Sequence, residues 1–448
     1  MITEKLNKNF KFLAMAVAAL VASMALAACG GGGGISEGQN NDDVTTAKGG
    51  PASGTLNISN WPLYIDTGKS GTIAEFEDKT GITVNYTEDV NDNNEFFGKV
   101  QPLLSQGESG GRSIVVVTDW MAEKMYKLGY VQNLPKEDLK TVEDNMLPSL
   151  QHPTFDPERN YSVPWQSGMT GLVVRQDLAP DVKSINDLFD PKYKGKVTML
   201  SEMRDTVPLV MAADGIDPKT ATTEDWLDAI DKLKENVDNG QIRRFTGNDF
   251  VQDLAKGDVV AAIGWSGDAV QAQADNENIA YVQPEQGCSI WSDNMMIPVG
   301  APNSPAAIEF MNYVYEPENQ AQITEYVNYV SPVAGVKPIL EKSDPSVANN
   351  DLIFPSEEFT AKCFNQVSPP GDEAQVLARL EHPGIVPIHD AGRPRRRTPV
   401  LCDEARPRRN TRRAPAATDR RTAQARDLRA RGRYRSVRAL GRNRSSRS

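Results

Sequence analysis

Four tryptophans and three acids carry the side-chain pattern that points to chemistry in this 448-residue sequence. Trp61, Trp120, Trp265 and Trp291 each stand just beyond a short apolar, β-branched or extended stretch, and Glu202, Asp205 and Asp293 stand in the same kind of place. Taken singly, an aromatic serves a core equally well and an acid serves a solvated surface. Together they make a set of π faces with carboxylates among them. Such a set suits an elongated organic cation, held by cation–π contact and charge-assisted hydrogen bonds. Trp226 differs, because it shares a helical stripe with Ile230, Leu233 and Val237 and belongs to a core. Catalytic chemistry finds little support. His152 is the only histidine in the body of the chain, the other two standing at 382 and 389, and no His/Cys cluster has metal-ligand spacing. Neither a phosphate-binding GxxxxGK[ST] nor an HExxH motif is present. No catalytic residue, metal or cofactor is expected. A hydrolase using Glu202 and Asp293 is the weaker enzymatic alternative.

Those residues need elements to position them. Leu56–Ser59, Ile82–Tyr86, Ser113–Val117, Val197–Leu200 and Val259–Ile263 read as strands, with a further extended segment near Tyr281. Gly71–Thr80 reads as a helix, and another starts near Thr223. The alternation predicts an α/β fold with mainly parallel sheets, in which ligands bind beyond the carboxyl ends of strands. Residues 54–371 are too many for one small sheet, so two lobes are expected.

Charge divides the chain. Residues 54–371 hold 48 acidic and 24 basic residues, whereas residues 391–448 hold 20 arginines against four acids. An acidic body argues against nucleic acid, which needs a basic surface to displace counterions. At the N-terminus, Lys5, Lys8 and Lys11 precede an apolar run from Phe12 to Ala28. That is the layout of a signal peptide, over residues 1–28, and is too short for a spanning helix. Leu26-Ala27-Ala28-Cys29 resembles the bacterial lipobox, so Cys29 is expected to carry the lipid anchor. An ordinary signal peptide cleaved after Ala28 is the alternative. Gly30–Gly34 and the polar residues up to Ser53 read as a flexible tether over 29–53. The body would then lie on the outer side of the bacterial cytoplasmic membrane. Export permits a disulfide, and Cys288 and Cys363 either form one or stay unpaired and buried.

The body resembles the spermidine/putrescine-binding proteins of bacterial ABC importers over roughly residues 54–366. The resemblance rests on SNWPLY (59–64), VVTDWMAEKM (116–125), FDPKYKGKVTMLSEMRD (189–205), VVAAIGWSGDA (259–269), CSIWSDNMMIP (288–298) and YVSPVAG (329–335). It implies a polyamine-binding lipoprotein, monomeric, that delivers its ligand to an ABC permease and ATPase and performs no catalysis. A receptor for another cationic or sugar-like molecule is the alternative function. Carried over residue by residue, the resemblance makes Trp61, Tyr64, Trp120, Trp265, Trp291 and Tyr329 an aromatic box. Glu202, Asp205 and Asp293 become ammonium partners, and Thr118 a polar contact. Three positions depart from the pattern. Glu202 and Asp205 exchange the usual Asp and Glu. A serine contact falls at Gly247, with Thr246 and Asn248 as stand-ins, and the family's glutamine falls at Gln366 or Asn365. The implied fold is two-lobed, of the type II periplasmic-binding kind. Lobe one would comprise 54–166 and 292–337, and lobe two 167–291 and 338–372, hinged near Trp165–Gly168 and Cys288–Trp291.

Residues 373–392 (EAQVLARLEHPGIVPIHDAG) resemble a piece of a serine/threonine kinase, without its catalytic motifs. The Arg-, Ala- and Pro-rich stretch that follows reads as an out-of-frame tail, or else as a basic tail for nucleic acid or acidic lipid. Residues 373–448 are expected to be non-native and disordered.

Overall fold

The computed structural model of the protein describes residues 44–371, with Val376, Arg379 and Leu380 beyond them. The signal segment, Cys29, Cys402 and the arginine-rich stretch lie outside the described residues. Among the described residues, no helix is long and apolar enough to cross a membrane.

Ten strands form one sheet: β1 (Thr55–Asn60), β2 (Thr83–Glu88), β3 (Ile114–Thr118), β4 (Val163–Arg175), β5 (Val197–Leu200), β6 (Ile242–Thr246), β7 (Ala261–Trp265), β8 (Ile279–Val282), β9 (Ser289–Met296) and β10 (Phe364–Asn365). Their order is β2-β1-β3-β9-β4-β7-β5-β6, with β8 on β4 and β10 on β9. Sequence alternation predicts mainly parallel pairing, and the outer parts obey it: β1 runs parallel to β2 and β3, and β5 to β6 and β7. The centre does not. β9 runs antiparallel to β3 and β4, and β4 antiparallel to β7 and β8. The reason is that β4 and β9 are long strands that cross from one half of the sheet to the other. Both are buried along almost their whole length, so they show no polar–apolar alternation for sequence reading to find.

Local chemistry fixes the flanking helices. Helix Thr223–Asp238 begins at a capping box in which Thr222 and Asp225 satisfy each other's backbone amides. Its Trp226, Ile230 and Leu233, spaced four and three apart, are buried as predicted. Helix Thr72–Thr80 ends at Gly81, whose φ of 72° suits a residue without Cβ. Strand β7 lies two residues later than expected, so Trp265 closes the strand and caps helix Ser266–Asp275. Two antiparallel crossings, β4 and β9, link the sheet halves, and Ser167 and Ser292 face each other there with hydroxyls 2.6 Å apart. A third segment joins them, since Ser167 and Val330 exchange backbone hydrogen bonds of 2.9 Å. Cys288 and Cys363 are joined in a disulfide across 75 residues. Closing a loop of that length removes about 4 kcal/mol of unfolded-chain entropy in the simplest model.

Two expectations about the chain ends change. The predicted flexible tether does not extend to Ser53. Ala47 is buried, its amide donates to Asn133 O at 2.7 Å, and Asn133 N donates to Thr45 O at 2.9 Å. Backbone pairing of this kind leaves no side-chain periodicity in the sequence. The expected disordered tail also begins too early. Val376 and Leu380 are helical and buried, Arg379 pairs with Asp231, and Lys234 Nζ donates to Arg379 O at 2.5 Å.

Candidate functional site

Four turns that follow parallel strands converge on one cavity. Each turn leads into a helix or a tight bend, and the residue at the junction faces the cavity. Thr118 ends β3 and precedes helix Asp119–Lys127, and Trp265 ends β7. Glu202 follows β5 and caps helix Met203–Ala213 with a hydrogen bond from Arg204 N of 3.1 Å. After β1 the chain turns through Leu63, whose φ of 56° is unusual for a residue with a side chain. That turn brings both Trp61 and Tyr64 to the cavity wall. Helix Asn93–Leu104 adds Asp92, its N-cap. Helix N-termini carry partial positive charge, which offsets part of the cost of burying carboxylates nearby.

Every acid at the site is buried and hydrogen-bonded. Thr118 lies opposite Asp293 in the β3–β9 register, and its hydroxyl donates to Asp293 Oδ1 at 2.8 Å. Tyr64 OH donates to the other oxygen at 3.0 Å. Burial still pushes the Asp293 carboxyl up to about 7. Asp205 accepts from Trp265 Nε1 at 3.0 Å, Thr170 Oγ1 at 2.9 Å and Gln366 Nε2 at 2.7 Å. Desolvation raises it to about 6, with these donors opposing the rise. Glu202 is driven to about 8 by burial, against the attraction of Arg204. Its Oε2 is buried without a hydrogen-bond partner among the described residues. Asp268 accepts from Asn248 Nδ2 at 2.8 Å and sits against Tyr329, and burial raises it to about 7. Asp92 accepts Ser201 Oγ at 2.7 Å, a bond from one half of the sheet to the other.

The aromatic wall is continuous. Ring centroids lie 5.9 Å apart for Trp61–Trp265, 6.5 Å for Trp265–Trp291, 5.7 Å for Trp291–Tyr329 and 5.1 Å for Tyr329–Tyr64. Most meet edge to face, the arrangement that ring quadrupoles favour. Glycine makes the close packing possible. A Cβ on Gly267 would lie 2.3 Å from the Tyr329 ring, and one on Gly168 would lie 2.6 Å from Trp291.

Nine of the ten expected site residues line this cavity: Trp61, Tyr64, Thr118, Glu202, Asp205, Trp265, Trp291, Asp293 and Tyr329. Trp120 is placed differently. The Arg204 guanidinium covers its ring at 3.6 Å, so this aromatic face is occupied from within the protein. Gln366, not Asn365, reaches the site. At the Gly247 departure, Asn248 lines the cavity, while a Cβ on residue 247 would lie 2.5 Å from Asn91 O. Sequence reading missed Asp92 and Asp268. The signal for Asp268 was its place in the first turn of the helix that Trp265 caps, and for Asp92 its place as an N-cap. Gly107-Glu108-Ser109-Gly110-Gly111 spells a nucleophile-elbow pattern, but it follows a helix rather than a strand, and Ser109 donates to Gly300 O at 3.1 Å. Among the described residues, no group of three or more His, Cys, Asp or Glu side chains is arranged to hold a metal ion.

A mixed α/β sheet whose two halves wall off a buried cavity defines the two-lobed periplasmic binding proteins of the type II fold. Residues 71–355 match the model of the bacterial extracellular solute-binding proteins, and the chain belongs to that family. It is 28% identical over 307 residues to the spermidine/putrescine-binding periplasmic protein of Escherichia coli (strain K12), covering 68% of this chain and 84% of that one. It is 30% identical over 335 residues to the putrescine-binding periplasmic protein PotF of the same organism, covering 69% and 85%. Among solved structures, a putative spermidine/putrescine ABC transporter from Listeria monocytogenes aligns with a TM-score of 0.63 at 27% identity, over 72% of this chain and 95% of that one.

Proposed function

We propose that this protein is an extracytoplasmic receptor that captures a polyamine, spermidine or putrescine, and delivers it to an ABC permease and its ATPase. One observation carries the reading. Five buried carboxylates, Asp92, Glu202, Asp205, Asp268 and Asp293, surround an aromatic-walled cavity with no Lys or Arg among its lining residues. An alkyl diamine supplies what such a cavity needs: ammonium groups for the acids and methylenes for the rings. A sugar would leave the acids unpaired in a dry site, at a cost. The names of the curated relatives agree with this reading.

In this account Asp293, Asp205, Asp268 and Glu202 take the ammonium groups. Trp61, Tyr64, Trp265, Trp291 and Tyr329 hold the chain, and Thr118 orients Asp293. Trp120 acts through Arg204. Binding involves no cofactor and no turnover. The lobes in this reading are 54–166 with 292–337 and 167–291 with 338–372, hinged where β4, β9 and the Tyr329–Val330 segment cross. Closure of such lobes on a ligand is a hinge motion. Cys29 carries the lipid anchor, and fractionation of a Cys29→Ser variant checks this: the protein should leave the membrane or remain an uncleaved precursor. The functional reading is tested by a thermal-shift screen of putrescine, spermidine, glucose and ferric citrate. Polyamines should raise the melting temperature. A rise with the sugar or iron complex alone would sink the proposal.

A further inference from the structure

The segment from Cys363 to Ser368 reaches the acidic turn after β5 from a distant part of the chain. Gln366 Nε2 donates to Asp205 Oδ1 at 2.7 Å, and two residues on, Ser368 Oγ accepts from Arg204 Nε at 2.9 Å. Arg204 in turn holds Glu202 Oε1 at 3.4 Å and stacks on Trp120. One strap thus touches the residues that orient two of the site's acids.

Little regular structure holds the strap. Strand β10 has two residues, paired in parallel with the start of β9, and beside that pairing Phe364 N donates to Cys288 O at 2.9 Å and Gln366 N to Ile290 O at 2.7 Å. A strand this short cannot offset the entropy of ordering its own residues. The covalent link stands immediately before it, joining Cys363 to Cys288, the residue before β9. The approach is built for contact. Gly287, with φ of 108°, lies where any Cβ would fall 2.0 Å from Lys362 O. Gln283 Nε2 donates to Phe359 O at 2.8 Å and touches Cys363 Sγ at 3.2 Å.

We propose that the Cys288–Cys363 bridge is a positioning element of the binding site, which pins the strap so that Gln366 holds Asp205 in its binding orientation. This deepens the polyamine reading and rests on it. Gln366 is a positioning residue in this role. Its amide shares Asp205 Oδ1 with the Thr170 hydroxyl while Trp265 holds the other oxygen, and without the bridge the strap drifts and the Gln366 donor leaves.

The test is a double-variant cycle on the full chain, with putrescine and spermidine as probes in calorimetry. Gln366→Ala should weaken binding about tenfold, the effect of one hydrogen bond to a charged group. Cys288→Ser with Cys363→Ser should weaken it by a similar factor. The three substitutions together should lose no more than either set alone, because both act through the same contact. A glycine inserted between Asn365 and Gln366 keeps the bridge but displaces the amide, and should reproduce the loss, with the melting temperature recorded alongside to show that the variant is folded. A readout without ligand accompanies these: the Trp265 indole N–H resonance, which reports on Asp205 Oδ2, should move in the same direction in every variant. If the parent binds no polyamine, the functional reading fails while the indole resonance still judges the strap. Binding and resonance unchanged without the bridge, or losses that multiply, would overturn the proposal.

Discussion

In the proposed polyamine reading, Asp293 is the residue on which recognition turns. It sits mid-strand on β9, buried, with one oxygen held by Thr118 and the other by Tyr64. Asp293→Asn keeps the shape and removes the charge, so a desolvated ammonium loses its partner. Binding should weaken by about 2–5 kcal/mol, measured by calorimetric titration, with Trp291→Ala also weaker through lost ring contact. Equal affinity in both variants and the parent would place the site elsewhere. Much of this residue set was legible in the sequence, but not always for the stated reason. Trp61, Glu202 and Trp265 stand at ends of parallel strands, as the strand-end rule requires. Trp291 and Asp293 do not: they reach the cavity because β9 crosses the sheet antiparallel, with Gly168 opposite Trp291. Asp268 escaped notice because a lone acid in a helix's first turn looks like any other dipole-compensating carboxylate.

Elements show what a one-dimensional pattern can and cannot carry. The capped helix at Thr223 and the β-branched strand β3 declare themselves through spacing and composition. The crossing strands are uniformly buried, and the Thr45–Ala47 pairing to Asn133 is made by backbone alone, so neither leaves a period to read. The segment after Gly371 shows the same limit. Its composition argued for disorder, yet Val376 and Leu380 are buried and Arg379 pairs with Asp231 on helix Thr223–Asp238. Truncation after residue 372 should therefore lower the melting temperature by several degrees, since a buried Val or Leu contributes about 1.5–3 kcal/mol. Polyamine affinity should stay within about twofold, because the residues assigned to the ligand all precede Gly371. Scanning calorimetry and titration of the truncated protein check the two halves. An unchanged melting temperature would show that the Val376, Arg379 and Leu380 contacts are unimportant, and a large affinity loss would bring the segment into the functional protein.

At the scale of the molecule, burial in the cavity wall raises the carboxyls to about 8 for Glu202, about 7 for Asp268 and Asp293, and about 6 for Asp205. Folded values above the unfolded ones mean stability that is present below pH ~4 and lost as pH rises through the range of about 6–8. A bound dication reverses this by favouring the ionised acids. Binding should release protons near pH 7, seen as calorimetric heats that change with buffer ionisation enthalpy, and the thermal shift from putrescine should be larger at pH 8 than at pH 5.5. A shift that grows toward acid would contradict the assignment of these acids to the ligand.

The central claim is that the acidic, aromatic cavity takes a polyamine. Isothermal titration of the full chain with putrescine and with spermidine, at physiological salt and pH 8, tests it most directly. The account predicts saturable one-to-one binding of at least one of them, with Kd on the order of micromolar or tighter. No heat with either polyamine, together with saturable heat from a sugar, would contradict it.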